Sequence, residues 1–247
     1  MRTFGLIGYP LTHSFSKKYF TEQFEREGTA DCKYELFSLE NITSLEPLLA
    51  EQASLKGLNV TIPHKVSVLP YLDELDDAAA KIGAVNCIAI KNIANKPFLK
   101  GYNTDAYGFA ESLKPLLKAN HTKALVLGNG GAAKAVKYVL EQLGIAYQVV
   151  VRTAVAGAIT YGEITPEIMG THQLIINTTP LGMYPDITAI PAIPYDLITV
   201  AHIAYDLIYN PEETAFLQKA KAQGAVVKNG MEMLHLQADR SWEIWNA

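Results

Sequence analysis

The stretch that decides the fold is Ala124-Leu-Val-Leu-Gly128-Asn129-Gly130-Gly131-Ala132-Ala-Lys-Ala-Val-Lys-Tyr-Val-Leu-Glu-Gln-Leu-Gly144-Ile-Ala-Tyr-Gln-Val-Val-Val151-Arg152-Thr153. Its first four residues are apolar and read as a buried strand. Ala132, Ala135, Val136, Val139, Leu140 and Leu143 then recur at helical spacing, Gly144 stops the helix, and Ala146 to Val151 returns as a second strand. A glycine-rich turn that opens a helix inside a complete βαβ unit is the setting of a dinucleotide-phosphate site. Gly128 permits the tight turn, and Gly130 lets backbone approach a pyrophosphate. The small residues at 131–133 let the helix pack close to the sheet, and its first N–H groups and positive dipole end face the anion. The same glycines would also serve a plain βα turn.

The residue that closes the second strand separates the cofactors. An acid there would bond the ribose 2′-hydroxyl of NAD. This chain has Arg152 and Thr153 instead. A guanidinium and a hydroxyl suit a 2′-phosphate, which favours NADP.

The chain outside this unit also alternates strand and helix. Towards the N-terminus, strands are expected over Thr3–Gly8, Tyr34–Leu39, Gly57–Thr61, Ala84–Ile90 and Phe98–Tyr102. Helices are expected over Lys17–Glu27, Ser44–Gln52 and Asp73–Lys81. A longer helix follows from Asp105, which alone would be its N-cap, to about Lys118. Leu174–Ile176, Val200–Leu207 and Ala225–Val227 fit further buried parallel strands, and Met231–Trp245 an amphipathic helix. A domain boundary is expected at 102–106.

The 247 residues allow one large domain or two modest ones. Net charge is −4, so broad binding to nucleic acid or to an anionic membrane surface is not expected. Two cysteines 55 positions apart form neither a disulfide framework nor a metal cluster, and they read as reduced thiols. No apolar run reaches the ~20 residues that span a bilayer, and the N-terminus lacks a signal-peptide pattern. The expectation is a cytoplasmic protein that uses no metal and binds neither nucleic acid nor membrane.

A second constellation lies at Asn59-Val-Thr61-Ile-Pro63-His64-Lys65, where a strand end delivers an amide, a hydroxyl and an ammonium into one turn. His64 reads as structural or solvated. Together with Ser14-x-Ser16, Gly83-Ala-Val-Asn86, Asn103-Thr-Asp105, Asn177-Thr-Thr-Pro-Leu-Gly-Met183, Asp206-Leu-Ile-Tyr209-Asn-Pro211, Gly230-Met231 and Gln237, this order and spacing resembles the shikimate dehydrogenases. That family reduces 3-dehydroshikimate to shikimate with NADPH in aromatic amino-acid biosynthesis. The resemblance implies an α/β chain with an N-terminal substrate domain (1–104, the helix 231–247 packing back on it), a Rossmann-type NADP domain (105–230), and a cleft between them. It makes Lys65 and Asp105 the catalytic pair. It assigns Ser14, Ser16, Asn59, Thr61, Asn86, Tyr209 and Gln237, with that pair, to the substrate. Gly128, Asn129, Gly130, Gly131, Ala132, Arg152, Thr153, Leu207 and Gly230 fall at the dinucleotide. The expected partner is a small-molecule substrate, and the chain a monomer or homodimer.

Four positions depart from the family's usual pattern. Lys17 stands where Pro is usual, Ala106 for Gly, Asn129 for Ala in the glycine turn, and Val151 for Asn before Arg152. The stretch Thr153–His172 is shorter than the family's. It reads as a strand over Ala158–Ile164 with no full helix before it, and Ala154–Ala158 lacks the second basic residue usual there. NADP preference then rests on Arg152 alone. The nearest alternative is a quinate/shikimate dehydrogenase or a divergent paralogue using NAD. A methylene-tetrahydrofolate dehydrogenase would call for pterin stacking, and a non-enzymatic NADP sensor need not keep Lys65, Asp105 and Gln237 together.

Overall fold

A computed structural model describes residues 1–11, 14–94 and 96–247. The chain divides into two compact units, Met1–Thr104 with Ala238–Ala247, and Asp105–Gln237.

The first unit holds β1 (Arg2–Gly8), α1 (Phe15–Glu27), β2 (Cys32–Ser38), α2 (Leu45–Glu51), β3 (Leu55–Val60), the single turn α3 (His64–Ser67), β4 (Glu74–Leu75), α4 (Asp77–Ile82), β5 (Cys87–Ile93) and β6 (Lys96–Tyr102). Its sheet runs β2-β1-β3-β5-β6-β4. β2 and β3 flank β1 in parallel, whereas β5 is antiparallel to both β3 and β6, so the sheet is mixed. Side chains alternate across it, as pleating requires. Phe4, Leu6, Cys87 and Ala89 pack with Phe20 and Phe24 of α1 and with Trp245. Ile7, Leu58, Ile88 and Ile90 pack with Leu45 and Leu48 of α2.

Helix α1 starts at Phe15, two residues before the expected start. Ser14 caps it, accepting a hydrogen bond from Lys17 N at 3.4 Å, and Gly28 ends it at φ 68°. Among the described residues no helix is long and apolar enough to cross a membrane.

The second unit follows with α5 (Thr104–Leu113), β7 (Lys123–Leu127), α6 (Gly131–Gln142), β8 (Ala146–Val151), β9 (Ala158–Thr160), α7 (Pro166–Thr171), β10 (Leu174–Asn177), β11 (Ile203–Asp206), α8 (Ala215–Ala222), β12 (Val226–Lys228) and α9 (Met231–Trp245). The division between the units falls in the first turn of α5 and within α9. Every pairing in the sheet β12-β11-β10-β7-β8-β9 is parallel. Strand order reverses at β7 and β10, which makes this the doubly wound arrangement with its ligand crevice at the carboxyl ends of those strands.

Two local expectations are corrected. The strand expected over Ala158–Ile164 ends at Thr160. Glu163 accepts hydrogen bonds from Thr160 N and Oγ1, both at 2.7 Å, and this capping box closes Tyr161–Glu163 into a 3₁₀ turn. Asp105 is not the N-cap of α5, because the helix already includes Thr104. It stands in the first turn, where an acid complements the helix dipole.

Candidate active site and dinucleotide site

In the first unit, backbone bonds stitch three of the motifs together. Val60 N donates to Asn86 O at 2.8 Å, and Val85 N to Lys65 O at 2.8 Å. Asn103 Nδ2 donates to Ala84 O at 2.9 Å, and Thr104 N to Asn86 Oδ1 at 2.6 Å. The turn carrying Lys65, the Gly83–Asn86 turn and the start of α5 are thereby fixed to one another. Thr61 and Lys65 are half-buried in that turn, on either side of the cis Ile62–Pro63 bond. His64 is buried, with Nε2 2.6 Å from Leu39 O, so it is structural and not solvated.

A buried polar network lies beneath. The Tyr34 hydroxyl donates to Asn59 Oδ1 at 2.7 Å, and Asn59 Nδ2 donates to Ser241 Oγ at 3.0 Å. Ser241 Oγ is 3.2 Å from Thr104 Oγ1, which accepts from Asn86 Nδ2 at 2.9 Å. Burial pushes the Tyr34 phenol well above its ordinary pKa, opposed by a hydrogen bond from Ser16. The structure thus joins Ser16, Asn59 and Asn86 and adds Tyr34, Thr104 and Ser241, which the sequence reading assigned no role. Ser241 had a sequence signal, since it lies one helical turn after Gln237. Ser14 is half-exposed beside its cap bond.

In the second unit, α5 and α9 meet closely at Gly108. A Cβ there would stand 2.5 Å from Met233 O and 3.2 Å from Gln237 Cβ. Asp105 lies one turn before Gly108, so Asp105 and Gln237 border one seam. Gln237 is buried, and its Nε2 donates to Leu234 O at 2.9 Å. Tyr209 is partly exposed, and desolvation raises its phenol pKa.

The glycine turn sits at the reversal of strand order. Gly128 has φ 104°, and a Cβ on it would lie 2.9 Å from both Thr178 Oγ1 and Thr179 Cγ2, so both conformation and space require glycine. Gly130 is the N-cap of α6. No side chain caps this end, and no acid stands in its first turn, so the N–H groups at 131–133 remain available to an anion. The packing reason expected for 131–133 holds only in part. Ala133 is buried, but Gly131 is exposed with open space where a Cβ would be. Arg152 and Thr153 are exposed just past β8. Asn129 accepts a hydrogen bond from Lys137 Nζ at 2.8 Å.

Leu207 and Gly230 are brought together, because a Cβ on Gly230 would overlap the Leu207 carbonyl. Asp206 organises this corner. It is fully buried and accepts from Thr214 Oγ1 at 2.6 Å, Asn177 Nδ2 at 3.0 Å and Ile208 N at 3.1 Å. Those bonds tie the Asn177 turn, the Leu207–Tyr209 segment and the N-cap of α8. Burial raises the Asp206 carboxyl to about 6 despite them.

These features have close counterparts. A family model described as the shikimate dehydrogenase substrate binding domain matches residues 6–88. The NADP(+) shikimate dehydrogenase of Clostridium beijerinckii is 42% identical over 99% of this chain and 92% of its own length. The shikimate 5-dehydrogenase of Thermus thermophilus, solved with NADP(H) and shikimate, superposes with a TM-score of 0.84 at 33% identity, covering 99% of this chain and 93% of that one. The quinate dehydrogenase of Corynebacterium glutamicum, solved with NAD, gives a TM-score of 0.87 at 28% identity over 99% and 93% of the two chains. Likeness of this degree, carried through both units, means that the chain belongs to the shikimate dehydrogenase family.

Proposed function

We propose that this chain catalyses the reversible NADP-linked reduction of 3-dehydroshikimate to shikimate, in the cytoplasm, for aromatic amino-acid biosynthesis. The observation that carries the cofactor half is the uncapped, glycine-opened N-terminus of α6 at the reversal of strand order, with Arg152 ending the next strand. The convergent turns bearing Asn59, Thr61, Lys65 and Asn86 support the substrate half, since a small hydroxylated acid calls for hydroxyl and amide partners.

When bound, the nicotinamide supplies the hydride. The chain's own residues hold the substrate and manage the proton. The residues fit such a cofactor, with N–H groups at 131–133 for the pyrophosphate and Arg152 with Thr153 for a 2′-phosphate. Ser14, Ser16, Asn59, Thr61, Asn86, Tyr209 and Gln237 are assigned to the substrate carboxylate and hydroxyls. Lys65 stabilises negative charge developing on the C3 oxygen and delivers its proton. Asp105 orients that exchange, and in the oxidative direction the hydroxyl proton returns to Lys65. The test is NADP⁺ reduction followed with shikimate as substrate, and no turnover above a heat-denatured control would refute the assignment.

A second reading is quinate oxidation with NAD. It is favoured by the fit to the quinate dehydrogenase and by the lack of a basic residue in 154–158. Comparing kcat/KM for shikimate and quinate with each cofactor separates the two.

A further inference from the structure

Lys137 makes an unusual choice of partner. It sits in the second turn of α6, with Glu141 one turn further on, and the described residues provide no ion pair between them. Glu141 instead accepts from the Tyr147 hydroxyl at 2.7 Å. The Lys137 side chain runs the other way, back towards the helix N-terminus, and sets its ammonium 2.8 Å from Asn129 Oδ1 in the glycine turn. A neutral amide occupies one of its three donors, and no carboxylate among the described residues neutralises it.

The direction of this arrangement follows from the topology. Tyr147 belongs to β8, so the Glu141–Tyr147 bond shows that this flank of α6 leans towards β8. The connecting helix of a βαβ unit runs antiparallel to its strands, so moving from Glu141 to Lys137 to Asn129 climbs towards the carboxyl end of β8. Gly128 N donates to Val150 O at 2.8 Å, which places the glycine turn beside the residues that lead into Arg152. The other flank of the turn faces β10, where Gly128 meets Thr178. Lys137 therefore stands on the Arg152 side of the turn, away from the strand-order reversal. Arg152 itself forms no hydrogen bond or ion pair among the described residues, and its positive charge lowers the Tyr161 phenol against the raising effect of burial.

We propose that Lys137, tethered by Asn129, is a second cation for the adenosine 2′-phosphate of NADP, in place of the basic residue that 154–158 lacks. Two departures from the family pattern, the amide in the glycine turn and the uncharged segment after Arg152, then have one cause. A 2′-phosphate carries a charge near −2, so two cations flanking it match its charge better than one. The inference rests on the NADP-linked reading above.

Calorimetric titration of wild type, Lys137→Gln and Asn129→Ala with NADP⁺, NAD⁺ and 2′,5′-ADP tests it without turnover. Lys137→Gln should weaken NADP⁺ and 2′,5′-ADP by roughly 10-fold, the size of one charge-assisted hydrogen bond, and NAD⁺ by less than about 2-fold. Asn129→Ala, which frees the ammonium without removing it, should give a smaller loss with the same selectivity. Equal losses for NADP⁺ and NAD⁺ would assign Lys137 to the pyrophosphate or to the turn alone and overturn the proposal, as would no change. A thermal melt matching wild type confirms that the variants are folded. If wild type shows no preference for NADP⁺, the functional reading fails as well. If wild type prefers NADP⁺ and Lys137→Gln keeps that preference, only this inference fails.

Discussion

Asp206 shows how one buried carboxylate can carry both order and cost. Its three hydrogen bonds align the ends of β10 and β11, yet burial lifts its pKa from 3.8 to about 6. The folded state therefore holds this proton more tightly than the unfolded state, and between about pH 4 and 6 stability falls as pH rises. Above that window the ionised group costs up to about 3 kcal/mol, before other groups are counted. Asp206→Asn should remove this component. In urea unfolding at pH 5 and pH 7, wild type should lose more stability on going to pH 7 than the variant does, and parallel responses would contradict the assignment. Lys65 belongs to the same scale. Lys65→Ala should lower kcat by about 10²–10⁴-fold while KM for shikimate stays within a few-fold. Near-normal kcat would remove Lys65 from the chemistry. The residue types at both sites were legible in the sequence. The positions of Asp105 and His64 were not, because one depends on where a helix begins and the other on a carbonyl from a distant turn, Leu39.

Among the elements, β3 and α9 share the tightest fit. Gly57 has no side chain because the Trp245 indole occupies that space, with Nε1 donating to Ile88 O at 3.0 Å. Gly57→Ala should cost about 1–3 kcal/mol by overpacking. Combined with Trp245→Ala, its cost should fall well below the sum of the two single changes in chemical denaturation, since the clash is then gone. Additive losses would mean that the two residues do not oppose each other. Period and punctuation made β7, α6 and β8 readable to within three residues at each end. They could not show that β5 runs antiparallel to both β3 and β6, because strand direction is set by pairing and leaves no mark in hydrophobic alternation. They also overextended β9, where the Thr160–Glu163 capping box outweighs an apolar pattern.

At the scale of the whole molecule, each unit has its own apolar core, and the parallel sheet with its glycine turn lies in one of them. A ligand that binds only the folded second unit should stabilise that unit by mass action. NADP⁺ at 100 times its dissociation constant should add about 2.7 kcal/mol, seen as a rise in the unfolding midpoint, and NAD⁺ at the same concentration should add less. Equal shifts would argue against a 2′-phosphate contact. The two-unit plan was legible because the motifs fall in order along the chain. The resemblance assigned the whole of 231–247 to the first domain, and nothing in the sequence marks the break after Gln237 at which α9 passes from one unit to the other.

That division of α9 also sets an order of assembly. Ala238, Ser241 and Trp245 complete the core and the polar network of the unit that begins at Met1. During synthesis the chain is made from the N-terminus at about 5–20 residues per second. Residues 105–237 are all present before the final turns of α9 emerge, so the unit started first on the ribosome is the last to close. The aromatic face of β1 and α1 must wait for the last turns of α9 to be covered. Until α9 is complete, the aromatic surface of the first unit therefore stays partly uncovered in the nascent chain.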